Sequence, residues 1–349
     1  MLRIWNHHAS RLPSLEAKFR TAIIDTSPSS KHEMTSRGLK VALCLLLLLG
    51  ALSPALMAFA PAGNCSGPPR GRKRVMLHML GVDNETATNH TLTSLVAYNA
   101  SFNQLSWYTA TIFPGCSGPC PNWWLGDNQP NTSAHAREIL GADVELWPAI
   151  ACSDISALQN VMTYMGQWIH DAVAIAVARG YHGYMVDIEL VGVDPWSHAW
   201  CTSILVFLTQ FANALRAVDK GLNYYIMGPR TGDTPCFTAM TDSTVDKYVT
   251  MDTYAPAISY FEQYVDFGCC LFGSRFGVGM SPSNDSGIPL PLSDVNQRFE
   301  ILKQQPVDQI LFWAYWAEPP TPLPSFWWDF LAAFLQDKSA VAGSGHNEP

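Results

Sequence analysis

The chain has 349 residues, 48% of them hydrophobic and 14% charged, with 24 Gly, 24 Pro and nine Cys. That balance excludes a disordered chain, a collagen-like repeat and a coiled coil. The net charge of −8 is unevenly spread: residues 1–60 hold seven Lys/Arg against three Asp/Glu, which leaves −12 on the rest. An acidic domain whose one basic cluster is residues 70–74 offers no stripe for a phosphate backbone, so nucleic acid is not expected as a partner.

The apolar run 41–60 follows Arg37 and Lys40. It reads either as the core of a signal peptide starting at Met34 or as a signal anchor. In the first reading Pro54 breaks the run and Ala58-Phe59-Ala60 and Ala60-Pro61-Ala62 offer small-residue cleavage sites. The second rests on length, since ~20 apolar residues span a bilayer. Cleavage is preferred, which makes the protein secreted or lumenal; the alternative is a single-pass type II membrane protein held at 41–60. The expected organisation is an N-terminal extension (1–62), a linker (63–73), one hydrolase domain (74–338) and a disordered tail (339–349).

Cys44 lies inside the run, and the other eight cysteines (Cys65, Cys116, Cys120, Cys152, Cys201, Cys236, Cys269, Cys270) form an even set, so disulfides are expected. Cys116 and Cys120 lack the companion CxxC or HxxxH pair of a zinc site, and no metal is expected. Six Asn-x-Ser/Thr sequons (Asn64, Asn84, Asn89, Asn99, Asn131, Asn284) fit a glycosylated, exported domain.

Residues 61–349, roughly 290 in number, approach the ~250 typical of a (β/α)8 barrel. Strand-like runs occur at 75–80, 104–112, 144–151, 183–190, 222–228, 247–254, 276–281 and 309–317. Helical periodicity is clearest at 155–179, 198–218 and 324–336, and least clear after the fifth, sixth and seventh strands, where the chain is short, Pro/Gly-rich or Cys-bearing. Eight strands alternating with helices imply a single closed parallel barrel, an α/β fold of the (β/α)8 TIM type, with its chemistry at the strands' C-terminal ends.

The fourth strand carries the strongest chemical signal. Alternation puts Met185, Asp187 and Glu189 on one face, so two carboxylates project together from the end of an apolar strand. Repulsion and partial burial should raise the proton affinity of one of them. A protonated acid beside a carboxylate suits glycosidic bond cleavage; the competing reading is a solvated strand end, or one acid paired with Arg230. His182, just before the strand, and Asp194, beside Pro195, read as structural. No Gly-rich phosphate loop follows a strand and no Gly-x-Ser-x-Gly elbow exists, so no cofactor is expected.

The segment 180–190, GYHGYMVDIEL, resembles the strand-four signature Asp-x-x-Asp-x-Asp-x-Glu of family 18 glycoside hydrolases, the chitinase-like enzymes, and among them the di-N-acetylchitobiase type looks nearest. Asp187 and Glu189 match the last two acids, while His182 and Met185 stand where the first two aspartates belong. The resemblance implies that Glu189 is the general acid and that Asp187 steadies the substrate's N-acetyl group, the nucleophile. Segment 247–254 resembles the strand-six Met-x-Tyr-Asp motif offset by one residue, which implies Tyr254 as the phenol that bonds the N-acetyl oxygen. Asp252 is then a partner of the acetamido N–H, sharing a face with Tyr254 if the strand is regular. Segment 310–313 resembles the strand-eight run ending in the tryptophan under the sugar, which favours Trp313 over Trp316.

Eleven of the twelve Trp lie beyond the extension, as sugar-face stacking would use. Trp123 and Trp124, in a Pro/Asn/Gly loop, are platform candidates; Trp327 and Trp328, in the last helix, read as packing. The expected function is hydrolysis of β-linked N-acetylglucosamine-containing glycans, with retention, by a monomer. Two rivals stand beside it: an inactive chitinase-like carbohydrate-binding protein, and a retaining barrel glycosidase of another family using Asp187 and Glu189 directly.

Overall fold

The computed structural model describes residues 71–80, 84–112, 131–190, 198–226, 234–254, 257–283, 288–315 and 323–337. The apolar run 41–60, Cys65, Cys116, Cys120, Trp123, Trp124, Asp194, Arg230 and Trp316 lie outside them. No helix among the described residues is long and apolar enough to cross a membrane.

Among the described residues nine strands run in chain order: β1 (Arg74–Met79), β2 (Gln104–Ile112), β3 (Glu145–Leu146), β4 (Ala149–Cys152), β5 (Gly183–Ile188), β6 (Gly221–Ile226), β7 (Lys247–Thr250), β8 (Phe276–Met280) and β9 (Gln309–Tyr315). All pairings are parallel, each stave bonds its sequence neighbour, and β1 pairs with both β2 and β9, so the sheet closes. β3 and β4 both pair with β2 and form one stave interrupted at Trp147 and Pro148, which makes eight staves in all. The (β/α)8 barrel follows, as the alternating pattern predicts.

The helices are α1 (Glu85–Leu95), α2 (Thr132–Leu140), α3 (Ile155–Thr163), α4 (Met165–Ala178), α5 (His198–Arg216), α6 (Thr234–Thr241), α7 (Ile258–Phe272), α8 (Leu292–Gln304) and α9 (Ser325–Gln336). Local chemistry sets their ends. Asn84 and Asp154 cap α1 and α3, each side chain accepting from a backbone N–H three residues on, at 2.9 Å. The long periodic stretch 155–179 is two helices, because Tyr164 at φ −110°, ψ 28° breaks the spiral between α3 and α4. The faintly marked helices after the fifth, sixth and seventh staves all form, and α7 runs for 15 residues through Cys269 and Cys270. Their apolar residues face the barrel, and tertiary packing supplies what local propensity lacks.

Strand alternation splits the core in two. Val75, Leu77, Tyr184, Val186, Ile310 and Phe312 face outward into the layer beneath the helices. Trp327 and Trp328 belong to this outer layer, the latter stacked on Tyr98 at 4.2 Å, so they are packing residues as expected. Met76, Trp147, Ala149, Met185, Tyr225, Val249 and Leu311 face inward and fill the barrel. Trp147 occupies space left by two glycines: a methyl group on Gly183 would overlap its ring and the Gly221 carbonyl, and one on Gly221 would come within 2.6 Å of the same ring.

Cys201 on α5 and Cys236 on α6 form a disulfide, and Cys270 is also disulfide-bonded. The even-set expectation is corrected at two positions. Cys152 and Cys269 are free thiols, buried in the outer layer, where desolvation pushes both up to about 12 and keeps them as inert hydrophobes.

The tryptophan plug is testable. Gly183→Ala should cost about 1–3 kcal/mol by overpacking. Gly166→Ala, on α4 with open space around the new methyl, should be neutral or stabilising by up to about 1 kcal/mol. Urea unfolding of both variants checks this, and equal effects would mean that Trp147 does not depend on the missing side chain.

Candidate active site

The C-terminal ends of the staves bring a set of polar and aromatic side chains to one mouth, with Asp187 and Glu189 at its centre. Asp187 sits in β5; Glu189 follows the strand, but its N–H still donates to the Cys152 carbonyl at 2.9 Å, so the register continues and the two carboxylates share the inward face. Asp187 is 6% exposed and Glu189 half-buried. Burial, then the charge of Glu189, raise the proton affinity of Asp187, against a smaller opposing effect of a hydrogen bond from Tyr108. Burial also raises that of Glu189. With both acids raised, the pair retains a proton at pH values where isolated carboxylates are fully ionised.

Tyr108 donates its phenol proton to Asp187 Oδ2 at 2.8 Å. It lies on β2 and reaches past β4, whose inward residues Ala149 and Ala151 are small enough to let the ring cross. His78 on β1 sets its Nδ1 3.1 Å from Ser106 Oγ and 3.4 Å from Tyr225 Oη. Full burial takes this imidazole down to about 3, so it is neutral at any ordinary pH. Sequence reasoning singles out none of Tyr108, His78 and Tyr225. Their signal is present in weak form: Gln104, Ser106 and Tyr108 alternate as the polar face of an otherwise apolar strand, and a polar face turned into a barrel marks a site.

Trp313 on β9 is the hub of the aromatic groups. His78 lies 4.4 Å from it, Tyr108 5.8 Å, Tyr225 6.3 Å, and Tyr254 is stacked on it at 6.2 Å with planes 14° apart. The Trp313–Ala314 peptide is cis. Met185 is buried in the same inner cluster, beneath Asp187 on the same strand face.

The expectation for 247–254 needs correction. The strand ends at Thr250, and residues 251–254 form a turn closed by the Tyr254 N–H on the Met251 carbonyl at 3.0 Å. Asp252 and Tyr254 therefore do not share a strand face. Asp252 is half-buried in the turn, near enough to add to the high proton affinity that burial gives the Tyr254 phenol. Tyr254 nevertheless enters the inner cluster, because Gly279 has no side chain: a methyl there would overlap the Tyr254 ring and the Thr250 carbonyl. The turn is pinned from outside the barrel, with Thr253 Oγ1 donating to the Gly279 carbonyl at 2.8 Å and buried Arg298 on α8 donating through Nη1 to the Thr253 carbonyl at 3.1 Å.

His182 has the structural role expected of it, its Nδ1 accepting the Leu146 N–H at 3.0 Å. No cluster of His, Cys, Asp and Glu among the described residues has the makings of a metal site. Three polar atoms of the mouth, Asp187 Oδ1, His78 Nε2 and Tyr254 Oη, are buried without a hydrogen-bond partner among the described residues. Orphaned polar atoms are costly, and their clustering marks a place for a polar ligand.

Two adjacent acids thus stand beside an aromatic floor at the C-terminal strand ends of a (β/α)8 barrel, the face on which this fold carries its active sites. No protein-family model and no curated protein matches the sequence. Solved structures do match the fold. A chitinase from Chromobacterium violaceum superposes with a TM-score of 0.55 at 12% identity, covering 76% of this chain and 100% of its own. A Bacteroides thetaiotaomicron chitinase gives 0.56 at 11%, covering 80% and 100%. A family 18 chitinase from Pseudoalteromonas aurantia gives 0.54 at 11%, covering 75% and 99%. The chain shares the barrel fold of these chitinases at low sequence identity.

Raised acids make stability depend on pH. The folded protein holds the Asp187 proton more tightly than the unfolded chain, whose Asp titrates near ~4. The resulting stability is fully present below that pH and is lost as pH rises through the raised folded value, at about 1.4 kcal/mol per tenfold change in proton affinity. Asp187→Asn should therefore flatten the dependence and melt higher than the wild type at alkaline pH. Thermal unfolding between pH 4 and 9 checks this; parallel curves would mean that Asp187 is not held at a cost.

Proposed function

We propose that the protein is a glycoside hydrolase of the family 18 type, acting on β-linked N-acetylglucosamine-containing glycans by substrate-assisted hydrolysis with retention. The observation that carries the reading is the pair of orphaned atoms, Asp187 Oδ1 and Tyr254 Oη, in the mouth that Trp313 floors. One accepts and the other donates. An acetamido group offers an N–H to the first and a carbonyl oxygen to the second, while a sugar's C–H face suits the tryptophan.

In this reading Glu189 gives its proton to the glycosidic oxygen as the bond to the anomeric carbon breaks. The acetamido oxygen attacks that carbon and closes a five-membered, positively charged ring, whose N–H Asp187 holds and whose charge it balances. Water, deprotonated by Glu189, then opens the ring with overall retention. Tyr254 orients the attacking oxygen and Trp313 supports the sugar. Asp252 is given no contact with the substrate, since it lies in the turn and off the strand face. His78, held neutral, adds a polar contact without a competing charge.

Glu189→Gln keeps the shape but has no proton to donate, so turnover of chitotriose should fall by roughly 10²–10⁴-fold with folding intact. A thiazoline mimic of the ring intermediate should inhibit, and a plain β-glucoside should be inert. Binding of chitotriose with no turnover in the wild type would favour the carbohydrate-binding rival; a glycosyl ester trapped on Asp187 would favour the direct nucleophile.

We also propose that the protein travels the secretory route, a reading supported by the run 41–60, the six sequons and the Cys201–Cys236 bond. Protein from its natural host should begin near Pro61 or Gly63, and deglycosylation should lower its mass. A membrane-bound chain with an intact N-terminus would point instead to the signal anchor.

A further inference from the structure

The carboxylate of Asp187 has two oxygens with different fates. Oδ2 accepts the Tyr108 phenol proton at 2.8 Å, and Oδ1 is buried with no partner among the described residues. Nothing else on its own face fixes it: Met185 precedes it and is apolar, and Glu189 follows and repels. The cross-strand neighbour on β4 is Ala151, which has no polar side-chain atom. The titratable groups around Asp187 are Glu189, Tyr108, Tyr224 and Tyr225 from β6, Tyr254 from the β7 turn and Cys152 from β4. None of these is a cation, so among the described residues the Tyr108 phenol is the donor that steadies a negative Asp187.

We propose that Tyr108 is a positioning residue for the reaction: its O–H locks the Asp187 side chain with Oδ2 satisfied and Oδ1 left for the substrate, and it favours the carboxylate form of Asp187. The inference rests on the function proposed above. Its geometric part, one phenol across the small side chains of β4 onto one carboxylate oxygen, stands without it. The ring has a second hold on the site, since it meets His78 at 4.8 Å and Trp313 at 5.8 Å in edge-to-face contacts, so the phenol arrives at Asp187 from a fixed direction. A charge-assisted bond of this kind favours the ionised acid, and its loss leaves Asp187 with a higher affinity for its proton.

The test uses the full protein as wild type, Tyr108→Phe, Asp187→Asn and the double variant. On a fluorogenic chitotrioside, Tyr108→Phe should lower kcat by about 10-fold or more with KM little changed, and the limb of the pH profile belonging to Asp187 should move to higher pH. An unchanged limb with kcat intact would overturn the proposal. A second reading needs no turnover. The melting-temperature cost of Tyr108→Phe should grow as pH rises and Asp187 ionises, and this growth should vanish in the Asp187→Asn background. A cost that is the same at every pH, and the same in both backgrounds, would show Tyr108 to be packing only. If the wild type hydrolyses no N-acetylglucosamine glycan, the functional reading fails, and the unfolding cycle still decides the part of Tyr108.

Discussion

The structure turns on keeping two carboxylic acids side by side where water is scarce. Asp187 and Glu189 leave one strand on the same side, and neither has a cation to offset it among the groups that shape its proton affinity. A closed parallel barrel makes this bearable. Its strands pair with neighbours on both sides, and its inward side chains come from every direction, so a donor can be supplied from another strand. Here Tyr108 supplies it from β2, past β4, whose inward residues are Ala149 and Ala151. The remaining discomfort is retained as raised proton affinity, the property that an acid catalyst needs.

Around that pair the barrel lining changes along its axis. Trp147 fills part of the lower interior against Gly183 and Gly221, with Met76, Met185, Val249 and Leu311 in the same apolar cluster. Above them the lining changes to His78, Tyr108, Tyr225, Tyr254 and Trp313. These are rings with polar edges, which suit a ligand that has apolar faces and hydroxyl rims. The fold is shared with chitinases at 11–12% identity, a level at which backbone geometry persists after most side chains have been replaced.

Much of this is legible in the amino-acid sequence. Alternation along 183–190 puts both acids on one face, and the order of strands and helices implies the barrel. What escapes does so for physical reasons. Tyr108 cannot be paired with Asp187 by pattern, because the two are 79 positions apart and meet only through closure of the sheet. The interruption at Trp147 and Pro148 is hidden because the flanking residues keep strand character. Asp252 departs from its expected place because the strand pattern gives way to a turn that hydrogen bonds, and not hydrophobicity, define. Parity draws Cys152 and Cys269 into a disulfide set, although their neighbours are the apolar side chains of the outer layer and not other thiols.

Arg298 belongs to a helix on the outside of the barrel, is buried, lies over the Phe261 ring at 4.6 Å, and holds the turn on which Tyr254 stands. The aromatic floor is thus suspended from the outer layer as well as from the strands beneath it. Loss-of-function substitutions in a natural population need not crowd the mouth. Some would fall on α8 and α7, in a patch that distance from Glu189 alone would pass over, and the architecture gives a reason to look there.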